Sequence, residues 1–216
     1  MQLAMTVNDL RAVQAVALAS SNDSARPILT GVRFTNASEM ADNGSGAPFT
    51  VIGCDSYRLA WHGLTGATDE ATGENEFEPV LLPAKQLVAA IKSFKIPAKV
   101  SAVAVVAILC VDGDSWRLEG VGHCRGNIAG GNTLDGTYPE MTHLVAGEFP
   151  TQVKQFDNGI TAFNPAYLAT LGEVAKVLKV DATPVTLQLL DISRPARFNI
   201  SHNGGRFNYL LMPVRF

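Results

Sequence analysis

The pattern closest to a catalytic motif is Gly-x-Cys-x-Gly at residues 122–126, which reads Gly-His-Cys-Arg-Gly. In a nucleophile elbow this spacing exposes the sulfur on a sharp strand-to-helix turn, and a histidine with an acidic partner activates it. The nucleophile would be Cys124, and the other candidates are His62, His123, His143 and His202 as bases and Asp112 and Asp114 as orienting acids. No helical periodicity follows Gly126, where the chain resembles a turn-rich loop. We therefore predict no catalytic residue, and a cysteine hydrolase remains as an alternative.

The sequence offers little for a metal ion or a nucleotide. Its three cysteines form no Cys-x-x-Cys pair, and no two histidines stand at His-x₃-His spacing. If they lay in a strand, the adjacent His123 and Cys124 would point to opposite faces. Asp-Gly-Asp at 112–114 is typical of a hairpin turn. Neither a P-loop nor a Gly-x-Gly-x-x-Gly motif occurs, so we predict no metal and no cofactor.

The composition indicates a globular protein. The 216 residues are 47% hydrophobic and 17% charged, which is enough apolar sequence for a sizeable core. The sequence has no run of about 18 apolar residues and no signal-peptide pattern at its start, so we expect no membrane span. The three cysteines are an odd number and lie far apart, which fits a reducing compartment. The expected location is the cytoplasm.

Candidate residues of any kind must be positioned by the secondary structure, and three helices are predicted. They span about residues 8–20, 83–95 and 164–178. Thr6 and Asp9 have capping-box spacing at the first helix, while Asn164 and Pro165 suit the N-cap and first position of the third. Pro83 is expected in the first turn of the second. The apolar faces contain Leu10, Val13 and Ala17; then Leu87, Ala90, Ile91 and Phe94; then Leu168, Leu171, Ala175 and Leu178.

Short alternating or β-branched runs lie between the helices. These runs are ILTGVRFTN, FTVIGCD, YRLAWHG, KVSAVAVVAIL, SWRLEGVG, PVTLQLLD, ARFNISH and FNYLLMPV. Turn residues bound them, so we predict antiparallel strands and an α+β fold. The repeating unit is a strand, a helix and several strands, and it occurs three times. Residues 37–48 and 65–76 are expected to be polar surface loops.

The charge is distributed unevenly. The whole chain has a net charge of −3, yet the helical stretches 8–20, 83–99 and 164–179 hold seven basic residues and two acidic ones. Such helices can present a positive surface to phosphates while the rest of the molecule repels them. The alternative is that Lys95 and Lys179 only complement helix dipoles. Because all three helices share the bias, we favour the positive surface.

Several motifs together resemble the bacterial DNA polymerase III beta subunit, the sliding clamp. ILTGVRF (28–34) followed by VIGCDSYRLAWHG (51–63) is similar to the clamp's middle domain, where L-x-G-V/M-x-F precedes T-D-x-x-R-L-A. TYPEMTHLV (137–145) resembles the segment F-P-D-Y-x-x-L-x that closes that domain. NYLLMPVRF (208–216) resembles the C-terminus Y-V-x-M-P-M-R-L. The pieces occur in family order over nearly the whole chain.

The resemblance implies an apolar pocket that receives short hydrophobic peptides of polymerases, clamp loaders and repair enzymes. Carried over by position, the pocket residues are Leu29, Tyr57, Arg58, Leu59, Pro139, Leu144, Leu210, Met212 and Pro213, with Arg215 completing the terminal motif. Without the resemblance, the leucines would be interpreted as ordinary core residues. Cys54 stands where threonine is usual, and Ser56 and Tyr57 stand where Gly-His is common, which alters the pocket's shape.

The resemblance also implies a ring around duplex DNA with its helices inside. The residues expected to face the DNA are Arg11, Arg26, Lys85, Lys92, Lys95, Lys176 and Lys179. The ring would act as a processivity factor and tether a polymerase. A peptide-binding module that forms no ring is the alternative, since it would use the same pocket without DNA.

The length departs from the family and predicts an unusual assembly. Clamps of this family have three domains of two units each and close as dimers with twelve units. The present chain has one complete domain at about 1–145 and half a domain at about 146–216. Four chains supply twelve units, so we expect a tetramer with C-terminal halves paired and N-terminal edges paired. A trimer follows if the chain instead holds two short domains, and a dimer is the remaining option. The short length suggests a bacteriophage.

Overall fold

The computed structural model describes residues 1–36, 46–64, 78–141, 144, 161–180, 182–189 and 194–214. Within them the elements are β1 (Gln2–Thr6), α1 (Val7–Ala17), β2 (Gly31–Asn36), β3 (Phe49–Cys54), β4 (Arg58–Leu64), β5 (Val80–Pro83), α2 (Ala84–Ser93), β6 (Val105–Asp112), β7 (Ser115–Gly120), β8 (Ile128–Asn132), α3 (Pro165–Leu178), β9 (Val185–Gln188), β10 (Ala196–His202) and β11 (Gly205–Leu211). Two short 3₁₀ helices span Pro27–Thr30 and Gly122–Cys124. His143, Arg215 and most of the two predicted loops lie outside the described residues.

Local capping chemistry starts two of the helices α1, α2 and α3. The Thr6 hydroxyl accepts from the backbone N–H of Asp9 at 3.1 Å, and the Asp9 carboxylate accepts from the Thr6 N–H at 2.9 Å, which confirms the capping box. The Asn164 side chain accepts from the N–H of Ala166 at 2.9 Å, as predicted for an N-cap. Pro83 precedes α2 as its N-cap residue, one position earlier than the predicted first turn.

Two antiparallel sheets exchange their first strands. The four-stranded sheet has the order β1-β6-β7-β8, and the seven-stranded sheet has the order β5-β2-β3-β4-β11-β10-β9. Strand β1, which leads into α1, pairs with β6 of the second unit, and β5, which leads into α2, pairs with β2 of the first. The third unit, α3 with β9 to β11, joins the first through the β4–β11 pairing. The predicted α+β class is confirmed. A helix followed by several strands occurs three times, and among the described residues the third copy has only an isolated bridge at Ala162 before its helix.

Strand alternation gives the seven-stranded sheet two different faces. Ala60 and Tyr209 point into the large core beneath the helices, whereas their neighbours Leu59 and Leu210 belong to a smaller cluster on the other face. The smaller cluster contains Leu29, Ile52, Cys54, Leu59, Trp61, Leu81, Tyr138 and Leu210, with Ile28, Leu134, Met141 and Leu144 packed against it. The helices therefore cover one face, and the second face has its own apolar layer.

Three local predictions were wrong in detail. Leu168 is 37% exposed, although it was predicted on the apolar face of α3. The buried face of this helix contains Leu171, Val174 and Leu178 instead. The predicted loop after Gly126 contains strand β8, whose glycines let its backbone pass close to β7 and Trp116. Strand β6 begins at Val105, later than the apolar run predicted.

Candidate functional site: an apolar pocket opposite a basic helix surface

The smaller apolar layer opens into a cavity of about 150 Å³ where β4 and β11 run side by side. Leu59 is paired with Leu210 in the register of these strands, so both side chains point into the layer. The lining consists of Cys54, Ser56, Tyr57, Arg58, Leu59, Met141, Leu144, Pro195, Leu210 and Met212. Tyr57 is 56% and Met212 40% exposed, which leaves a mobile thioether and an aromatic ring at the mouth.

Six of the nine residues predicted for the pocket line this cavity, namely Tyr57, Arg58, Leu59, Leu144, Leu210 and Met212. Leu29 lies in the adjoining cluster with Leu59 and is 8% exposed. Pro139 is exposed and Pro213 half-buried, and neither lines the cavity.

Four lining residues were not among the predicted pocket residues. Cys54 and Ser56 had been named only as departures from the family that alter the pocket's shape, and Met141 and Pro195 had not been named. Met141 lies inside the segment 137–145, which the motif comparison had already singled out. Pro195 gives no sequence signal, because only the pairing of Ala196 with Leu211 brings it to the cavity.

A tight turn at residues 55–58 shapes one wall of the pocket. The Asp55 carboxylate accepts from the N–H of Tyr57 at 3.0 Å and from the N–H of Arg58 at 3.1 Å. Ser56 adopts a φ of +81° between them, a left-handed conformation that favours glycine. Arg26, one of the predicted DNA contacts, donates to the Ser56 hydroxyl at 2.8 Å and so lies beside the pocket.

Arg58 has contacts on three sides, and its positive charge is already paired within the protein. Its Nε donates to Asp55 at 2.7 Å and its Nη1 to the Thr170 hydroxyl of α3 at 2.9 Å. Its guanidinium carbon lies 4.7 Å from the ring centre of Tyr167, which also stacks on Tyr57 at 6.2 Å. These contacts fix the aromatic side of the pocket to a helix on the opposite face of the sheet.

The interior of the pocket is neutral. The Tyr138 hydroxyl donates to the Cys54 sulfur at 3.3 Å, and burial raises the pKa of both the Cys54 thiol and the Tyr138 hydroxyl. Leu59 and Leu210 supply the rest of the floor. Such a cavity favours apolar side chains and disfavours a charged ligand.

On the other face, α1 lies between α2 and α3, and grooves run along the helices. Lys85 and Lys92 of α2 and Glu173 of α3 line one groove, and Arg11, Lys92 and Lys179 line another. Of the two acidic residues in the helical stretches, Asp9 is buried in its capping box. The exposed charge of this surface is therefore mainly positive.

The remaining predicted DNA contacts occupy different positions. Lys95 and Lys176 are exposed, the first just beyond α2 and the second on α3. Arg11 is partly buried, which lowers its pKa, and it donates to Asn8 at 3.4 Å. Arg26 lies outside the helix surface and forms an ion pair with Asp23 at 3.2 Å.

Comparison with known proteins finds its matches among solved structures, whereas no protein-family model and no curated protein matches the chain. The DNA polymerase III beta chain of Streptococcus pneumoniae is 18% identical, with a TM-score of 0.64 over 100% of this chain and 64% of that chain. The sliding clamp of Bacillus subtilis is 16% identical, with the same TM-score and coverages. The DNA polymerase beta subunit of Streptococcus pyogenes is 18% identical, with a TM-score of 0.65 over 100% of this chain and 66% of that chain.

The chain has the sliding-clamp fold. It spans only 64–66% of the length of these three clamps.

Within this clamp fold, the Gly-x-Cys-x-Gly segment is not a nucleophile elbow. Cys124 lies in a 3₁₀ helix, is 1% exposed, and is followed by strand β8 rather than by a helix. Burial also raises the pKa of its thiol, which disfavours the thiolate. Among the described residues, no group of three or more His, Cys, Asp or Glu side chains is placed to hold a metal ion, and no helix is long and apolar enough to cross a membrane.

A pair of histidines connects β4 with β10, and His62 is buried while His202 is half-buried. The Nε2 atoms of His62 and His202 are 2.7 Å apart. His202 Nδ1 accepts from the N–H of Gly204 at 3.0 Å, so its Nε2 carries the proton and donates to His62. His62 in turn donates its Nδ1–H to the carbonyl of Gly63. Two neutral rings satisfy this chain of hydrogen bonds.

Proposed function

We propose that this chain is the subunit of a DNA sliding clamp, a ring that encircles duplex DNA and tethers a polymerase and a clamp loader to it. The observation that carries the proposal is the division of one sheet into two faces. Basic helices cover one face, and a neutral apolar cavity opens on the other. A ring with the helices inside presents cations to DNA and keeps the cavity free for partners.

The helix surface suits a duplex that must move. Lys85, Lys92, Lys176 and Lys179 end in flexible ammonium groups that meet phosphates without reading bases. Weak contacts of this kind exchange rapidly, so the ring slides, while topology prevents its escape. The proposed function involves no catalysis, and opening of the ring would depend on a separate ATP-driven loader.

The cavity suits a short extended peptide with apolar side chains. Leu59 and Leu210 form a preorganised floor, and Met212 adapts its shape to different ligands. A partner held there gains a high effective concentration at the DNA, which raises processivity without tight binding.

We propose that residues 1–145 form a complete clamp domain and residues 146–216 half of another. Four chains then close a ring of twelve units, and the ring works in the cytoplasm of a bacterial cell or a phage-infected host.

The test is topological. The protein is diluted to separate its subunits and then concentrated in the presence of nicked circular DNA, so that it can reassemble around the circle. It is expected to remain bound to the circle at a salt concentration that removes it from linear DNA. Cutting the circle is expected to release it. Protein that is lost equally from circular and linear DNA would contradict the ring. Such protein that still binds a hydrophobic clamp-binding peptide would be a peptide-binding module without a ring.

A further inference from the structure

In the described part of the chain, the first strand of the third unit has an uncovered edge, whereas the corresponding strands of the other two units are paired. In the first unit the outer edge of β2 is covered by β5, and in the second unit the outer edge of β6 is covered by β1. In each case the covering strand leads directly into the helix of the companion unit. Strand β9 occupies the same position in the third unit, and it is the outermost strand of the seven-stranded sheet in the described part of the chain.

Both complete pairings place the N-cap of a helix opposite the first residue of the covered strand, although β1–β6 has a register shift between Met5 and Thr6 that β5–β2 lacks. Thr6, the N-cap of α1, is paired with Val105, the first residue of β6. Pro83, the N-cap of α2, is paired with Gly31, the first residue of β2. The N-cap of α3 is Asn164. The unshifted register of β5–β2 would pair Asn164 with Val185, Phe163 with Thr186 and Ala162 with Leu187.

The chain does not make this pairing with itself among the described residues. The carbonyl of Ala162 accepts from the N–H of Val214, just beyond β11, at 2.8 Å. Strand β10 lies between β11 and β9, so the segment 161–164 and β9 are on different sides of their own unit. Within the described residues no segment of the same chain covers this edge, and a second molecule can bring its own segment 161–164 to it.

The uncovered edge has the composition of an interface. Val185 and Leu187 are 43% and 50% exposed, although their cross-strand partners Ile200 and Phe198 are buried beneath the helices. Neither β9 nor the segment 161–164 carries a charge. Free edges in soluble proteins are usually protected by charges, prolines or bulges, so a neutral, apolar edge is expected to be covered.

We propose that the C-terminal halves of two copies form one complete clamp domain, in which the segment 161–164 of each copy adds to β9 of the other. Helix α3 of each copy would then cover Val185 and Leu187 of its partner. This inference rests on the ring of the proposed function and names the surfaces that close it. The interface is isologous, since each copy supplies the same strand and the same edge.

The other free edge then determines the parity of the ring. In the chain, the last strand of the first unit pairs with the last strand of the third, β4 with β11. Strand β8 is the last strand of the second unit and ends its own sheet, with Ile128 71% exposed. If the last strand of a unit always pairs with the last strand of another unit, β8 pairs with β8 of another copy. A head-to-tail contact would join β8 of one copy to β9 of the next, which this rule excludes. The β8 and β9 contacts must therefore alternate around the ring, so the ring contains an even number of chains.

A disulfide tests the register. Because the carbonyl of Ala162 faces Val214, the Ala162–Leu187 pair is of the non-hydrogen-bonded type, with Cα atoms about 4.5 Å apart, within disulfide range. The double variant Ala162→Cys, Leu187→Cys is expected to give a covalent dimer on mild oxidation. The control Ala162→Cys, Gln188→Cys is shifted by one residue and faces the other side. Equal cross-linking of both variants, or none in the first while the wild type is multimeric, would overturn the pairing.

Measurement of the solution mass distinguishes a failure of this inference from a failure of the proposed ring. The wild type is expected to be a tetramer, and Leu187→Asp is expected to halve its mass by leaving only the β8 contacts. Ile128→Asp is expected to give dimers of the other kind, which still cross-link through positions 162 and 187. A Leu187→Asp protein of unchanged mass would refute the β9 interface and leave the ring standing. A monomeric wild type would refute both.

Discussion

Arg58 donates to the Thr170 hydroxyl at 2.9 Å, and this bond connects the pocket on one face of the sheet with a helix on the other. Arg58 begins strand β4 of the first unit, and Thr170 belongs to α3 of the third. The same guanidinium pairs with Asp55 of the pocket turn. A single side chain therefore contributes both to the junction between the units and to the wall of the pocket.

Replacing Arg58 by alanine is expected to lower the free energy of unfolding by about 3 kcal/mol, because it leaves the largely buried Asp55 carboxylate without its cation. Urea unfolding followed by circular dichroism measures the change. Arg26→Ala is the control, since the Arg26–Asp23 pair is exposed and its loss is expected to have no measurable effect. Equal effects of the two substitutions would contradict the role of Arg58.

Met212→Ala is expected to weaken binding of a hydrophobic clamp-binding peptide by about tenfold, since the lost apolar contact corresponds to about 1.4 kcal/mol. Leu29→Ala added to it is expected to weaken binding further through the adjoining cluster and to leave assembly intact. Fluorescence anisotropy with a labelled peptide measures both. Val214→Ala removes a similarly exposed apolar side chain that does not line the cavity, and it should bind like the wild type. Unchanged affinity in the double variant would refute the pocket.

Neutralising Lys85, Lys92 and Lys176 is expected to weaken association with duplex DNA equally for all sequences. The slope of log affinity against log salt should fall by about 0.9 for each phosphate contact removed. Arg117 is an exposed cation on strand β7, away from the helices, and Arg117→Ala is the control. A fall in assembly with unaltered DNA association would favour a binding module that forms no ring.

The pair of His62 and His202 makes stability depend on pH. Burial, followed by the neighbouring His202, lowers the pKa of His62 to about 3, and burial, followed by Arg11, lowers the pKa of His202. Below the ordinary value of about 6.5, the unfolded chain binds protons that the folded chain does not, so stability falls as pH falls. Each histidine contributes at most about 1.4 kcal/mol per pH unit. His202→Gln should reduce the slope between pH 6.5 and 5, whereas substituting the exposed His123 should not.

The native thiols are expected to react slowly with a thiol reagent and rapidly after unfolding. Cys54, Cys110 and Cys124 are all buried, and burial raises the pKa of the Cys54 and Cys124 thiols. Absorbance of the released thiolate of the reagent, with and without denaturant, measures the rates. A fast-reacting Cys124 in the folded protein would revive the hydrolase alternative, and Cys124→Ser identifies the residue.

Much of the local structure could be predicted because it depends on neighbouring residues. The capping box of Thr6 and Asp9, the N-cap Asn164 and the apolar face of α2 are short-range patterns. The residues around Leu59 and Leu210 were found through motifs, since the alternation of a strand alone cannot distinguish a pocket from a core.

The sequence by itself determined the repeated unit, the basic helices and most of the side chains that surround the cavity. Only the tertiary structure decided which face of the sheet each side chain occupies, because that depends on long-range strand pairing. It brought Pro195 to the pocket, engaged Arg58 with Thr170 and left β9 at the edge of the sheet. Contacts between residues far apart in the chain leave no local pattern in the sequence, so neither periodicity nor spacing can predict them.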